Sequence, residues 1–276
     1  MKHKKLCVFL TVLVIVLSAC AAYADGIKLG MLTSGKLVVG EAPSMDAIRD
    51  IVLWTLYRPG HGVDEISFKF YSNFASMLMA LNAGEIDELA TSQVVGEYIT
   101  AINPDFAITC AGRMTGTSFV LGFRDGEGEA LREKFNAALA DMRKDGTLDA
   151  ITRKYCGNPG HDKMDSVKFE TFPDAETVRV AVTGDVPPID FIAADGEAAG
   201  FNTAILSEIG RRAKLNIKLL HVDTAARTTA LMSGRADCIF WYQIYKDAKE
   251  QPDAADGVIF SDSYYDFSIS LHIGRK

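Results

Sequence analysis

Apolar positions along this chain fall into short runs and helical stripes that alternate. After Asp25, IKLGML is a predicted buried strand ending at Thr33-Ser34-Gly35. Pro43-Ser44 opens a predicted helix with Ile48, Ile51, Val52 and Leu56 on one face, stopped by Arg58-Pro59-Gly60. ISFKFY (66–71) predicts a strand, and Phe74 to Ala83 a helix whose Gly84 suits a left-handed cap. IDELA, VVGEYITAI and FAITC (106–110) predict strand, helix and strand, and SFVLGF (118–123) a further strand. A helix from Glu129 to Lys144 carries Leu131, Phe135, Leu139 and Met142 inward, and TLDAITRKY makes a short closing helix. The stretch 157–176 has glycine, proline and charge but no periodicity, which predicts a linker. The rhythm then restarts. VRVAVTG is a strand, Phe201 to Ala213 a helix, IKLLHV a strand, 225–233 a helix and DCIF a strand, with YYDFSISLHI closing the chain. Such alternation predicts parallel α/β layers.

One unit occurs twice. ALNAGEIDELATSQ (80–93) aligns without a gap on ALMSGRADCIFWYQ (230–243), pairing Ala80 with Ala230, Gly84 with Gly234, Asp87 with Asp237 and Gln93 with Gln243. The likeness extends back over the preceding strand and helix, which predicts two equivalent α/β lobes. The copies differ most where their strands end, Thr91-Ser92-Gln93 against Trp241-Tyr242-Gln243.

The first residues stand apart from this pattern. Lys2, Lys4 and Lys5 precede LCVFLTVLVIVL and a run of small residues, the make-up of a secretory leader over 1–24. Two processing readings stand side by side: a lipobox, Leu17-Ser18-Ala19-Cys20, that would leave Cys20 lipidated, and an Ala22-Tyr23-Ala24 site that would release a soluble protein. Either places the protein outside the cytoplasm, periplasmic or at the cell surface. The sequence has 29 basic and 36 acidic residues, net −7. Losing the three leader lysines takes this to about −10, an acidic balance that argues against nucleic acid as a partner. The mature cysteines Cys110, Cys156 and Cys238 match no metal motif, and a Cys110–Cys156 bridge is left open. Cys238 reads as a core residue. No metal or cofactor is expected.

At the repeated units the chain resembles the extracytoplasmic solute-binding proteins of ABC importers, the polar amino acid group termed family 3. VAVTGDVPPIDFIAADGEAAGFNTAILSEIGRRAKLNIKLLHVDTAARTTALMSGRADCIF resembles that family's opening lobe, and FSDSYYD the strand leading to its hinge. YSNFASMLMALNAGEIDELATSQVVGEYITAINPD resembles its second lobe, and TSFVLGFRDGEGEALREKFNAALADMRKDGTLDAITRKYCG its closing part. The resemblance implies an α/β fold with two Rossmann-like lobes, a hinge and an interlobe cleft, the type II periplasmic-binding arrangement. The segments come in a rotated order, which implies a circular permutation. Residues 27–113 would be the family's second lobe and 114–156 the hinge strand and closing helices packing on the other lobe. Residues 157–177 would join the ancestral termini, and 178–276 would be the first lobe. SFVLGF would then be the one strand crossing between lobes.

Ligands of doubly wound lobes bind beyond the carboxyl ends of the strands. That geometry nominates Trp241, with its neighbour Tyr242 on the opposite face, together with Gln243, Ser92 and Gln93. Asp185 and Phe191 lie in the loop after VRVAVTG, and Asn202 and Thr203 open a helix whose amides favour an anion. Arg227 could pair with a carboxylate bidentately, Thr33 and Ser34 could supply hydroxyls, and Ser72 and Asn73 precede a helix that either could cap.

Departures from the family's pattern bear on the ligand. The stretch YQIYKDAKEQPD has no arginine where the family holds an α-carboxylate, Ser92 stands where it offers an aspartate, and Val186 and Thr224 replace its stacking aromatics. The resemblance implies a non-catalytic, monomeric receptor that captures a small polar solute by hinge closure and delivers it to a membrane permease. The alternatives are a cyclohexadienyl dehydratase-like enzyme, with Asp185 or Glu88 as general acid, and a sensor subunit presenting bound solute.

Overall fold

The computed structural model describes residues 27–32, 66–157, 164–245 and 255–276. The leader, Cys20, Thr33, Ser34 and the helix expected after Pro43 lie outside the described residues. The first part of the chain runs β1 (Ile27–Leu32), β2 (Ile66–Tyr71), α1 (Phe74–Ala83), β3 (Glu88–Ser92), α2 (Gln93–Ile102), β4 (Phe106–Arg124), α3 (Glu129–Lys144) and α4 (Thr147–Cys156). The rest runs β5 (Thr177–Val182), β6 (Asp185–Val186), β7 (Asp190–Ile192), β8 (Ala198–Ala199), α5 (Phe201–Ala213) and β9 (Asn216–His221). A 3-10 turn (Thr224–Ala226), α6 (Arg227–Met232), β10 (Cys238–Tyr245), β11 (Val258–Phe260) and β12 (Tyr265–Arg275) complete it.

Nine strands join in one sheet, ordered β2-β1-β3-β12-β4-β10-β5-β9, with β11 also on β4. Its two ends are the same unit. β1 pairs in parallel with β2 and β3, and β5 in parallel with β9 and β10, so each end is a parallel triad with its first strand in the middle. The repeated sequence explains how each triad is built. Gly84 (φ 77) and Gly234 (φ 73) take the left-handed turn that a side chain would strain. The chain then folds back, with Glu85 N–H donating to the Ala80 carbonyl and Ala236 N–H to that of Ala230, both at 2.9 Å. Asp87 and Asp237 next pin the new strand to the first one. Asp87 accepts the Lys28 N–H through Oδ2 at 2.9 Å and donates its own amide to the Lys28 carbonyl at 3.0 Å. Asp237 does the same with Arg179, at 2.7 and 2.8 Å.

β4 and β12 join the triads. The expected separate strands FAITC and SFVLGF are one strand of 19 residues, roughly 60 Å at about 3.3 Å per residue. Between those two stretches Gly116 (φ 70) sits at a register shift in which β12 passes from Phe267↔Thr117 to Ile269↔Arg113. The glycine serves a bulge, and pairing continues through it. β12 runs the length of β4 and also pairs with β3, from Ser270↔Ser92 to Gly274↔Glu88. Two strands therefore run between the triads, where one was expected, because the closing segment finds a second partner that its own sequence does not announce.

The helices cover this frame. Phe135, Leu139, Met142, Leu148 and Tyr155 of α3 and α4 share a buried cluster with Phe201, Ile205, Leu206 and Ile209 of α5. The stretch expected as a linker is irregular over 164–176 but docked. Its Val167 N–H donates to the Ala198 carbonyl at 2.8 Å, and Asn216 Oδ1 accepts the Phe172 N–H at 2.8 Å. Cys110, Cys156 and Cys238 form no disulfide with one another; burial pushes the Cys156 thiol up to about 12, and Cys238 is a core residue. Among the described residues no helix is long and apolar enough to cross a membrane.

Candidate functional site

The carboxyl end of β5 leads into a turn that the sequence marked as a plain loop. It is a three-stranded antiparallel sheet, β6-β7-β8, built around a cis Pro187-Pro188 bond. Asp190, which the sequence did not single out, is 2% exposed there. Its Oδ2 accepts the Thr183 N–H at 2.9 Å and the Thr183 hydroxyl at 3.3 Å. Burial pushes its carboxyl above the usual range, opposed by the Thr183 amide and the nearby His221 and Arg227. Phe191 is half-buried on β7, opposite Asp185. The first amides of α5 are not open to an anion as the sequence suggested. Phe201 N–H donates to the Pro188 carbonyl at 3.0 Å and Asn202 N–H to that of Ile189 at 2.8 Å. Thr203 turns inward, its hydroxyl donating to the Ala199 carbonyl at 2.9 Å. Asn202 is fully buried and accepts the Tyr264 hydroxyl at 3.3 Å.

The end of β10 supplies the aromatic wall. Pairing with β4 slips between Ile239 and Tyr242, and within that slip Trp241 takes φ 61, a conformation rare for a bulky residue. The bulge lets Phe240 and Trp241 both face the main core, while Tyr242 packs with Val120, Leu231 and Ile239 on the other side. The indole lies 5.4 Å from the Phe119 ring, and Phe119 stacks on Tyr265 and Phe267 at 6.1 and 4.6 Å. Gln243 follows on β10, opposite Phe119. Arg227 does not reach outward with its whole fork. Its Nη1 donates to the carbonyls of Phe240 at 2.6 Å and Trp241 at 3.2 Å. Burial draws this guanidinium down, opposed first by the Asp190 carboxylate.

The first triad meets this wall through the start of α1. Asn73 caps that helix, its Oδ1 accepting the Ser76 N–H at 2.9 Å, as expected. Its Nδ2 also donates to Asp223 across the gap at 3.3 Å. The Ala225 N–H lies 3.5 Å from the carbonyl of exposed Ser72. Asp185 reaches over as well, its Oδ2 accepting the Ala75 N–H at 2.9 Å. The sequence reading assigns Asp185 to a ligand; here one of its oxygens holds the opposite triad at a helix start, where negative charge is favoured. Ser92 is buried at the end of β3, and Gln93 donates to Glu97 at 2.6 Å.

What unites these residues is polar atoms without partners. Asp185 Oδ1, Asp190 Oδ1, Asn202 Nδ2, Thr224 Oγ1, Arg227 Nε and Trp241 Nε1 are all buried with no hydrogen bond inside the protein, and so is Ser92 Oγ across the gap. A buried polar group left unpaired costs about 1–3 kcal/mol. These atoms lie on β3, β6, β7, α5, the 3-10 turn, α6 and β10, and others in the same state, such as Thr109 Oγ1 and Arg132 Nε, lie on β4 and α3. Asp190 and Thr224 were missing from the residues nominated by sequence; a carboxylate inside an apolar run, IDFI, was the available signal. Glu88 lies apart from this set. It begins β3, four residues before Ser92, and bonds His272 Nδ1 at 2.8 Å, so it does not meet Asp185. Among the described residues no group of His, Cys, Asp and Glu is placed to hold a metal.

Two parallel triads are joined through shared strands, β4 and β12. Residues 178–275, the segment carrying β5 to β12, match the family model of bacterial extracellular solute-binding proteins, family 3. No curated protein matches the sequence. Among solved structures the chain is similar to a zinc-bound ligand-binding component of an ABC-type import system from Staphylococcus aureus. The identity is 11% and the TM-score 0.45, over 90% of this chain and 65% of that one. It is similar to the aliphatic sulphonate binding protein SsuA of Escherichia coli at 13% identity and TM-score 0.38, over 91% and 65%. A nutrient binding protein of Burkholderia cenocepacia bound to methionine is 12% identical with TM-score 0.42, over 90% and 84%. The chain thus spans 65% of the length of the first two.

Proposed function

We propose that this protein is an extracytoplasmic receptor that captures a small polar solute between its triads and passes it to the membrane permease of an ABC importer. The observation that carries the proposal is the set of unpaired buried polar atoms on Asp185, Asp190, Asn202, Thr224, Arg227 and Trp241, with Asp185 bonded to the start of α1 in the opposite α/β unit. The family 3 match over 178–275 supports the solute-binding class. In this reading residues 27–113 form one lobe, 178–264 with α3 and α4 the other, and β4 and β12 are the hinge. The leader over 1–24 would export the chain. The order of the segments fits a circular permutation in which 157–177 joins the ancestral ends.

The test is a thermal-shift screen of the mature chain against amino acids, amines, small carboxylates and sulfonates. A solute present at a hundred times its Kd stabilises by about 2.7 kcal/mol, which moves the transition by several degrees. A chain that none of these classes stabilises, or one that consumes prephenate or arogenate in solution, overturns the receptor reading.

A further inference from the structure

Arg227 is the residue whose expected and observed partners differ most. A ligand-facing arginine would spend its Nη atoms on a carboxylate, whereas here Nη1 is bonded to two successive main-chain carbonyls, Phe240 and Trp241. Those carbonyls flank the one bulky residue of β10 in a left-handed conformation, Trp241 at φ 61. Among the described residues the other non-glycine positions with positive φ are Asp174 and Lys214, both outside the sheet. Left-handed backbone at a tryptophan persists only where its surroundings impose it. The neighbouring constraint is the slip in pairing between Ile239 and Tyr242, which leaves the Phe240–Trp241 stretch short of ladder partners on β4. Arg227 supplies what the ladder withholds.

We infer that Arg227 is a positioning residue: by bonding the Phe240 and Trp241 carbonyls it holds Trp241 left-handed and so aims the indole across the cleft. The proposal rests on the reading of that cleft as the solute site. Without the clamp, β10 can relax toward regular alternation, which would swing Trp241 away from Phe119, 5.4 Å distant. With it, the indole N–H stays a buried donor without a partner inside the protein, as does Arg227 Nε, and both await an acceptor on the solute. Asp190 supports the arrangement from behind, its carboxylate favouring the guanidinium where burial does not. A solute recognised here presents hydrogen-bond acceptors to these two N–H groups and a flat or apolar body to the Phe119–Tyr265 stack.

The experiment needs no solute. The chain has two tryptophans, so a Trp54→Phe background leaves Trp241 as the sole indole reporter. In this unliganded protein, Arg227→Met is expected to shift the Trp241 emission to longer wavelength and raise its acrylamide quenching several-fold. Arg227→Lys, able to bond one carbonyl, should fall between. Arg227→Met should also cost less stability in a Trp241→Gly chain, because glycine takes positive φ unaided. Arg227→Lys and the Trp241→Gly comparison keep the test decisive if Arg227→Met does not fold. Emission and quenching equal to those of the parent, or an equal cost in both backgrounds, overturn the proposal. An arginine acting only on solute would give that result. Because the readout is taken without ligand, its failure is distinct from failure of the receptor reading.

Discussion

The two triads share a frame and differ at their tips. Both hold the first strand in the middle, both turn at a left-handed glycine, and both pin the incoming strand with an aspartate seven residues after the first alanine of the repeat. Beyond that the first copy ends in small polar residues, Thr91 and Ser92, while the second ends in Trp241 inside a bulge and Tyr242. Equivalent scaffolding with unlike ends is what the proposed solute site would need. The frame fixes where the tips stand, and the tips decide what they hold. The likeness of the frames and the unlikeness of the tips can be probed separately.

The largest effect should come from the equivalent leucines of the frame. Leu81 and Leu231 are both fully buried, but Leu81 belongs to the main cluster and Leu231 to a small one with Val120, Ile239 and Tyr242. The smaller cluster can collapse more readily around a cavity. Leu81→Ala should cost about 4 kcal/mol and Leu231→Ala about 2 kcal/mol, read by urea unfolding. Equal costs would mean the two cores are equally rigid. Next come the pinning aspartates. Asp87→Ala and Asp237→Ala each strand a main-chain N–H, and each should cost about 1–2 kcal/mol. Asp237 should lie at the upper end because its carboxylate also pairs with the Arg179 guanidinium, and a half-exposed pair adds at most about 1 kcal/mol.

The tips are probed through Asp185, which ties the second triad to the start of α1 by the Ala75 amide. Asp185→Ala should lower stability by about 1 kcal/mol. It should also widen the gap between the triads, seen as a larger radius of gyration in small-angle scattering. An unchanged radius would show that Asn73–Asp223 and Ser72–Ala225 hold the junction without it.

How much of this was legible follows from which forces are local. Helical spacing placed α5 over Phe201–Ala213 without error, and the repeat announced both triads, because amphipathic stripes, left-handed glycines and caps act within a few residues. Long-range pairing left no such trace. FAITC and SFVLGF read as separate strands because β12, about 150 residues later, supplies the partner that joins them through the bulge at Gly116. The docking of 164–176 depends on Asn216, 44 residues beyond its partner Phe172. The rule that ligands bind beyond the carboxyl ends of parallel strands nominates Asp185, Asn202, Arg227 and Trp241. The bonds of Arg227 to main-chain carbonyls, and the burial of Asp190, depend on a bulge and a turn that propensity does not encode.

The smallest difference concerns acid. Arg212 of α5 bridges to Asp145 at 2.7 Å, to Thr147 at 3.0 Å and to Glu208 at 2.6 Å, and so ties α5 to the start of α4. The helices α1 and α2 of the first triad have no acidic residue in the first turn and no basic one in the last. Bonds from Thr147 and Arg212 draw the Asp145 carboxyl down to about 2, and Arg211 and Arg212 draw Glu208 below its usual range. A carboxylate whose pKa is lower folded than unfolded contributes stability above its unfolded value and loses it as pH falls toward the folded one. For Asp145 that window runs from 3.8 down to about 2. Arg212→Met should therefore lower the Tm by a few degrees at most near pH 7, where exposed pairs are weak. The gap to the parent should narrow below pH 4 and close near pH 2. Hydrogen exchange should place the acid-sensitive opening in α4 and α5 and leave α1 and α2 unaffected. A gap between parent and variant that stays constant from pH 7 to pH 2 would assign the Arg212 contribution to packing of its side-chain stem on α4.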